Sequence, residues 1–209
     1  MTVKVALVTG AAAGIGAGIC ERLARDGMAV GVLDINLEDA RKVAERIVAQ
    51  GGRAMALQAS VADRNQMSAQ IEALRRAFGP ITVLVNNAGI AGIVPFAEVT
   101  DEYWDRMMAV NLKGTFITTQ LVLPDMVDAR WGRIINISSS SAQSGTQGMA
   151  AYSASKGGVI SLTKTLALEL GPLGITVNNI PPASIAGTIM YEENKHRMPL
   201  TPEQAAQML

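Results

Sequence analysis

Thiol and imidazole are almost missing from this chain, which has one cysteine, Cys20, and one histidine, His196, in 209 residues. A lone cysteine excludes an internal disulfide and any multi-cysteine metal site. A lone histidine excludes a histidine-built metal cluster and argues against a Ser-His-Asp triad, so His196 in "EENKHR" reads as a solvated loop residue. Charge of one sign is missing too: 18 basic and 18 acidic residues cancel. With no Lys/Arg run, nothing points to nucleic acid or an anionic membrane, and zero net charge leaves self-association unopposed. No apolar run reaches membrane-spanning length, and "MTVKVALVTG" lacks the features of a signal peptide. A cytoplasmic protein without a membrane partner is the expectation.

What is present suits a compact fold, with 49% hydrophobic residues against 17% charged ones. Short β-rich runs alternate with helical patterns. The strand "VKVALVTG" (3–10) precedes a helix from about Gly14 to Asp26. The strand "MAVGVLD" (28–34) precedes an amphipathic helix over 37–50. The runs 53–60 and 63–78 repeat the unit, and Gly79-Pro80 breaks it. "ITVLVNN" (81–87) is almost continuously apolar, as expected when both faces of a sheet are covered. Helical segments around 101–128, a strand at 132–138, a helix near 151–170 and a strand at 174–180 follow. Such alternation implies a parallel sheet with right-handed crossovers: a doubly wound, Rossmann-type, three-layer α/β/α fold. No linker interrupts it, so residues 1–209 read as a single domain.

"VTGAAAGIGAG" follows the first strand and opens a helix, with Gly10, Gly14 and Gly16 spaced G-x-x-x-G-x-G. Glycines there permit a tight turn and let a phosphate approach backbone N–H groups at a helix N-terminus. Close helix–sheet packing is the bland alternative. Asp34 ends the second strand, 18 residues after Gly16, where a carboxylate can accept from a ribose diol and repel a 2′-phosphate. No Arg or Lys follows until Arg41, which favours NAD over NADP; a turn or helix-capping aspartate is the alternative. "NNAG" (86–89) lies at the carboxyl end of the fourth strand, either walling a ligand crevice or tying strand ends together. "SSSS" (138–141) ends the fifth strand. Tyr152 and Lys156 stand four residues apart in "AAYSASKGGV", a spacing that stacks them on one helical face. That spacing alone does not separate a surface pair from a phenol held beside an ammonium.

Together these stretches resemble the short-chain dehydrogenase/reductase family over essentially the whole chain. "TGAAAGIG" is similar to its cofactor loop, "NNAG" to its strand-four signature and "YSASK" to its Tyr-x-x-x-Lys motif. Ser139, 13 residues before Tyr152, matches its catalytic serine, and Asn111 in "VNLKG" its fourth catalytic residue. The resemblance implies an NAD(H)-dependent enzyme that interconverts a secondary alcohol and a ketone by hydride transfer. Tyr152 would be the general acid/base, Lys156 together with the positive nicotinamide ring would lower its pKa, Lys156 would also hold the nicotinamide ribose, and Ser139 would hold the substrate oxygen. Asn111 would anchor a water leading from Lys156 to solvent. Cofactor contacts are expected from Gly10, Ala13, Gly14, Ile15, Gly16, Asp34, Ile35, Ser60, Val61, Asn87, Ala88, Gly89, Tyr152, Lys156, Pro182, Ala183, Ile185 and Thr188.

The chain departs from the family pattern in places. Ser60 stands where an Asp or Asn usually contacts adenine, and "PPASIAGTIM" replaces Pro-Gly followed four residues later by Thr. Family members also continue further, so the sheet is expected without its final strand, with a shortened substrate lid near 184–200. The resemblance implies a homo-oligomer, tetramer or dimer. Ala91, Ile93, Val94, Gln143, Met149, Ile189 and Met190 are candidate pocket residues for an apolar small molecule. A 3-oxoacyl thioester or hydroxysteroid reductase, or a dinucleotide-binding protein without catalysis, are the alternatives.

Overall fold

Strand β1 (Val5–Thr9) shows how the chain makes a sheet buried on both sides. Its five residues are all buried; Val5 and Leu7 point into one apolar layer and Val8 into the other. The computed structural model describes residues 3–183 and Glu192. Five further strands follow: β2 (Ala29–Asp34), β3 (Arg53–Gln58), β4 (Ile81–Asn86), β5 (Gly132–Ile137) and β6 (Ile175–Ile180). Every pairing is parallel and the order is β3-β2-β1-β4-β5-β6.

The helices are α1 (Gly14–Arg25), α2 (Leu37–Ala49), α3 (Arg64–Phe78), α4 (Asp101–Met108), α5 (Gly114–Asp128), the single turn α6 (Ser141–Ser144) and α7 (Ala150–Leu170). Small and aliphatic residues of α1 and α2 (Ala17, Cys20, Ala24, Val43, Ile47) cover one face of the sheet. Met67, Ile71 and Leu74 of α3, Ile117, Val122 and Met126 of α5, and Leu170 of α7 cover the other. The three-layer arrangement anticipated from the alternation is therefore present, with helix and strand ends within about three residues of the expected ones. Asn36, Asp63 and Thr100 start α2, α3 and α4 by accepting hydrogen bonds from first-turn N–H groups. None of the helices is long and apolar enough to cross a membrane, among the described residues.

Two local features depart from a plain alternating reading. The helical stretch over 101–128 is not continuous: a π-helical turn, Ala109–Lys113, joins α4 to α5. The wider turn re-aims one residue, and Asn111 at its centre is fully buried. The serine run also does more than solvate a loop, since Ser141–Ser144 closes into α6.

Strand β1 pairs with β2 on one side and β4 on the other, so the chain reverses its winding direction between β1 and β4. A crevice opens at the carboxyl ends of the strands at such a point. Motifs from four strand ends converge there.

Candidate active site

The glycine loop is built by contacts that exclude side chains. Gly10 has φ 62°, and a Cβ there would lie 2.7 Å from the Ala88 Cα. A Cβ on Gly16 would collide with the Gly10 carbonyl and lie 2.7 Å from the Asn87 Nδ2. Asn87 fixes the turn by donating from Nδ2 to the carbonyls of Thr9 (3.0 Å) and Gly10 (2.8 Å). The Thr9 hydroxyl in turn accepts from the Asn87 and Ala88 N–H groups, each at 3.1 Å. Asn86 is likewise occupied, donating to Thr119 Oγ1 and Asn136 Oδ1. Both amide side chains of "NNAG" thus tie strand ends together, the structural alternative raised by the sequence.

Helix α1 differs from its neighbours at this loop. Its N-cap, Ala13, offers no side-chain acceptor, and its first turn carries no acid. The first-turn N–H groups of α1, bordered by exposed Ala13 and Gly14, fit an anionic group such as a pyrophosphate. Asp34 closes the other side. Its Oδ2 accepts from the Ala12 N–H and its Oδ1 from the Asn36 N–H, both at 3.0 Å. The cap of α2 is Asn36 rather than Asp34. Ile35 is 70% exposed above this turn, and Gln58 on β3 steadies it by donating to the Ile35 carbonyl. The Ser60 N–H is taken by Gln66 Oε1. Val61 is buried against α5, where Gly114 leaves room: a Cβ there would lie 2.7 Å from Val61 Cγ2.

The second half of the site hangs on α7. Tyr152 is 6% exposed and Lys156 4%, so the pair lies on the buried face of the helix. The Lys156 ammonium donates to the Ile137 carbonyl at 2.8 Å and lies 6.0 Å from the centroid of the Tyr152 ring. Burial pushes Lys156 down to about 8. Burial pushes the Tyr152 phenol up, opposed by a hydrogen bond from Ser139 that favours the phenolate. The protein groups alone therefore do not lower the phenol, because desolvation outweighs them; the expected lowering included the charge of the nicotinamide ring. Ser139 Oγ also accepts from the Ser141 N–H at 3.2 Å, which orients it at the start of α6.

Asn111 is spent on its surroundings. Its Oδ1 accepts from the Ile90 N–H (2.8 Å), and its Nδ2 faces the Ile90 carbonyl (2.9 Å) and Ser155 Oγ (3.0 Å). Ser155 passes the link on to the Tyr152 carbonyl at 2.7 Å. A Cβ on Gly89 would stand 3.2 Å from both Asn111 Oδ1 and Lys156 Nζ, so only glycine fits between them without displacing either. An apolar cluster abuts Tyr152: Met107, Met149 and Ala151, with Ile90, Ala91, Ile93, Tyr103 and Trp104 packed on it. Of the expected pocket residues, Ala91, Ile93 and Met149 belong to this cluster. Val94 closes the wall by donating its N–H to the Gly148 carbonyl at 2.8 Å, whereas Gln143 is exposed.

The Pro182 carbonyl accepts from the Ser140 N–H at 3.0 Å, extending the pairing of β5 and β6 past the strands, and Ala183 is exposed beside it. Ile185, Thr188, Ile189, Met190, His196 and the lid near 184–200 lie outside the described residues, Glu192 excepted. Sequence reasoning missed Thr9, Ser155 and Met107. Ser155 sits inside the quoted "YSASK", and Met107 lies one turn before Asn111.

Comparison with known proteins adds four findings. The family described as short chain dehydrogenase matches residues 4–198. The chain is 40% identical over 194 residues to the D-threitol dehydrogenase of Mycolicibacterium smegmatis, covering 93% of this chain and 73% of that one. It is 42% identical over 199 residues to a 3-oxoacyl-(acyl-carrier-protein) reductase of Staphylococcus aureus, covering 93% and 81%. Its fold superposes on that of a variant actinorhodin polyketide ketoreductase crystallised with NADPH. That match has a TM-score of 0.90 at 37% identity and covers 97% of this chain and 80% of the other.

Proposed function

Since this chain belongs to the short-chain dehydrogenase/reductase family of oxidoreductases, we propose that it interconverts a secondary alcohol and a ketone with NAD(H). The observation that carries the reading is the convergence of Ser139, Tyr152 and Lys156 beside an apolar cluster, next to an uncapped helix N-terminus. NAD⁺, when bound, supplies the hydride acceptor. Gly10, Ala13, Gly14, Ile15 and Gly16 hold its pyrophosphate, and Asp34 and Ile35 face its adenosine ribose. Ser60, Val61, Ala88, Gly89, Pro182 and Ala183 border the rest, and Asn87 keeps the loop in shape.

Tyr152 takes the hydroxyl proton in oxidation and returns it in reduction. A phenol pushed above its ordinary value is a poor base near neutral pH, so the positive charge beside it matters. Lys156, at about 8, is more than half protonated at neutral pH and favours the phenolate. Ser139 donates to Tyr152 in the absence of substrate, and the same hydroxyl holds the substrate oxygen once it enters. Asn111 keeps Gly89 and Ile90 over Lys156 through its bonds to the Ile90 backbone; its backbone carbonyl accepts from the Thr115 hydroxyl at 3.0 Å and keeps a second lone pair for a water.

The substrate is a small, largely apolar molecule, in keeping with Met107, Met149 and Ile93 around the phenol. NAD is preferred over NADP because Asp34 stands at the loop, with Glu38 and Asp39 in the first turn of α2 and Lys42 already paired to both. The related ketoreductase was crystallised with NADPH, so this preference rests on the acids named here and not on the family likeness. The reading extends to a cytoplasmic homodimer or homotetramer whose single catalytic domain spans 1–209, on family likeness alone.

The test is turnover of a panel of neutral secondary alcohols, cyclic and acyclic, with NAD⁺ and with NADP⁺, followed by the absorbance of the reduced nicotinamide. NAD⁺ is expected to be preferred by at least about tenfold in kcat/KM. No reduction on any alcohol would sink the enzyme reading, and equal use of NADP⁺ would sink the role of Asp34.

A further inference from the structure

Helix α7 is fastened to β5 by two polar contacts, and only one involves a residue the chemistry needs. At its start, Lys156 donates to the Ile137 carbonyl at 2.8 Å. Two turns later, Thr163 accepts from Asn136 Nδ2 at 2.9 Å. Asn136 and Ile137 are consecutive on β5, and Tyr152, Lys156, Val159 and Thr163 share the buried stripe of α7.

The second contact is part of a directed chain. Asn86 on β4 donates to Thr119 Oγ1 on α5 and to Asn136 Oδ1, with which it is in register. Asn136 passes the chain to Thr163, whose hydroxyl donates to the Val159 carbonyl at 2.7 Å. The Thr163 proton is committed to its own helix, so toward β5 this hydroxyl can only accept. Asn136 is fully buried, Thr119 is 4% exposed, and Asn86 and Thr163 are 5% exposed. Aliphatic side chains here would fill space but tolerate sliding, whereas a buried directional bond fixes one register. Lys156 is a poor anchor by itself, because its four-carbon stem is flexible.

We propose that Thr163 is a positioning residue: the bond from Asn136 sets how α7 seats along β5, and thereby where the Lys156 ammonium and Tyr152 phenol stand. The inference rests on the roles given above to Tyr152 and Lys156. Among the described residues, the groups packed around Lys156 are Tyr152 on its own helix, the Ile137 carbonyl on β5, Asn111 on the π-helical turn and the Gly89 backbone. Tyr103 on α4 belongs to the cluster at Tyr152.

The experiment compares Thr163→Val, Thr163→Ser and the double variant Asn136→Leu/Thr163→Val with wild type. Three readouts are used: ammonium-detected NMR titration of Lys156 without cofactor, ADP affinity, and kcat on the best alcohol. Thr163→Val should let water reach Lys156 and move its midpoint from about 8 toward 10.5. It should also lower kcat about tenfold while ADP affinity stays within about twofold, and Thr163→Ser should restore both quantities. The double variant exchanges the unpaired Asn136 donor for one Asn86 Nδ2 hydrogen without its acceptor, so it should stay less stable than wild type and should not regain the wild-type Lys156 midpoint. A lowered Tm with an unchanged Lys156 titration, or full recovery of the titration in the double variant, would overturn the proposal. If wild type turns over no alcohol, the functional reading fails by itself, and the Lys156 titration still decides the positioning claim.

Discussion

Beneath β1–β3 the buried side chains are almost all aliphatic or alanine, whereas around β4, β5, α5 and α7 the interior is laced with amides and hydroxyls. Apart from Thr9, every buried polar side chain among the described residues lies at or beyond Thr82. The first half offers a ligand mainly backbone: a glycine loop, an uncapped helix start and one carboxylate. An apolar core is enough to hold backbone in place, because the strand ladder supplies the geometry. On the function proposed above, the second half must hold side-chain atoms, namely a phenol, an ammonium and a hydroxyl, at fixed distances. Directional bonds from Asn111, Ser155, Asn136 and Thr163 are suited to that, whereas apolar packing tolerates sliding.

Substitutions that respect this division should separate binding from chemistry. The largest effect is expected from Tyr152→Phe, which removes the acid/base from the second half only. Its kcat should fall about a thousandfold or more while NADH affinity, read by fluorescence titration, stays within about twofold. Next is Gly16→Val in the first half, whose side chain would enter the Gly10 carbonyl and the Asn87 amide. Dinucleotide affinity should fall at least about a hundredfold, with Tyr152 and Lys156 undisturbed in the NMR titration.

Lys156→Met sharpens the comparison differently. A value of about 8 in place of 10.5 means that burying the ammonium costs on the order of 3 kcal/mol. The unfolded chain binds the proton more tightly, so this cost is fully present below about pH 8 and disappears as pH rises to about 10.5. Denaturant unfolding should therefore show Lys156→Met more stable than wild type near neutral pH, with the gain shrinking through that window, while kcat drops about a hundredfold. The smallest effect belongs to a contact far from the chemistry. Asp125 accepts from Arg75 at 2.9 Å and from the Ile81 N–H at 2.8 Å, joining α3, α5 and β4. Asp125→Ala should cost about 2 kcal/mol in denaturant unfolding and leave kcat per folded molecule unchanged.

The first half was almost wholly legible in the sequence. Its strands are apolar runs, its helices amphipathic, and the glycines at 10, 14 and 16 state the loop geometry directly, since collision demands glycine at 10 and 16 and a φ of 53° favours it at 14. The second half was legible only where a motif names its residues. Tyr152, Lys156 and Ser139 stood out, but Thr163 and Asn136 did not, because a buried threonine on a helix and an asparagine in a strand carry no periodicity that reveals their partner. Asn111 shows the same limit. Its importance could be read, but not the π-helical turn that buries it nor the spending of its whole amide on Ile90 and Ser155. The raised phenol was also unreadable, because desolvation depends on how deeply α7 is seated.

The measurement that goes most directly to the central claim is isotope tracing with a secondary alcohol deuterated at the carbinol carbon and NAD⁺. Every turnover should place the deuterium in the reduced dinucleotide, and Tyr152→Phe should transfer essentially none over the same period. Deuterium released to water during turnover, or transfer by Tyr152→Phe at the wild-type rate, would contradict that claim.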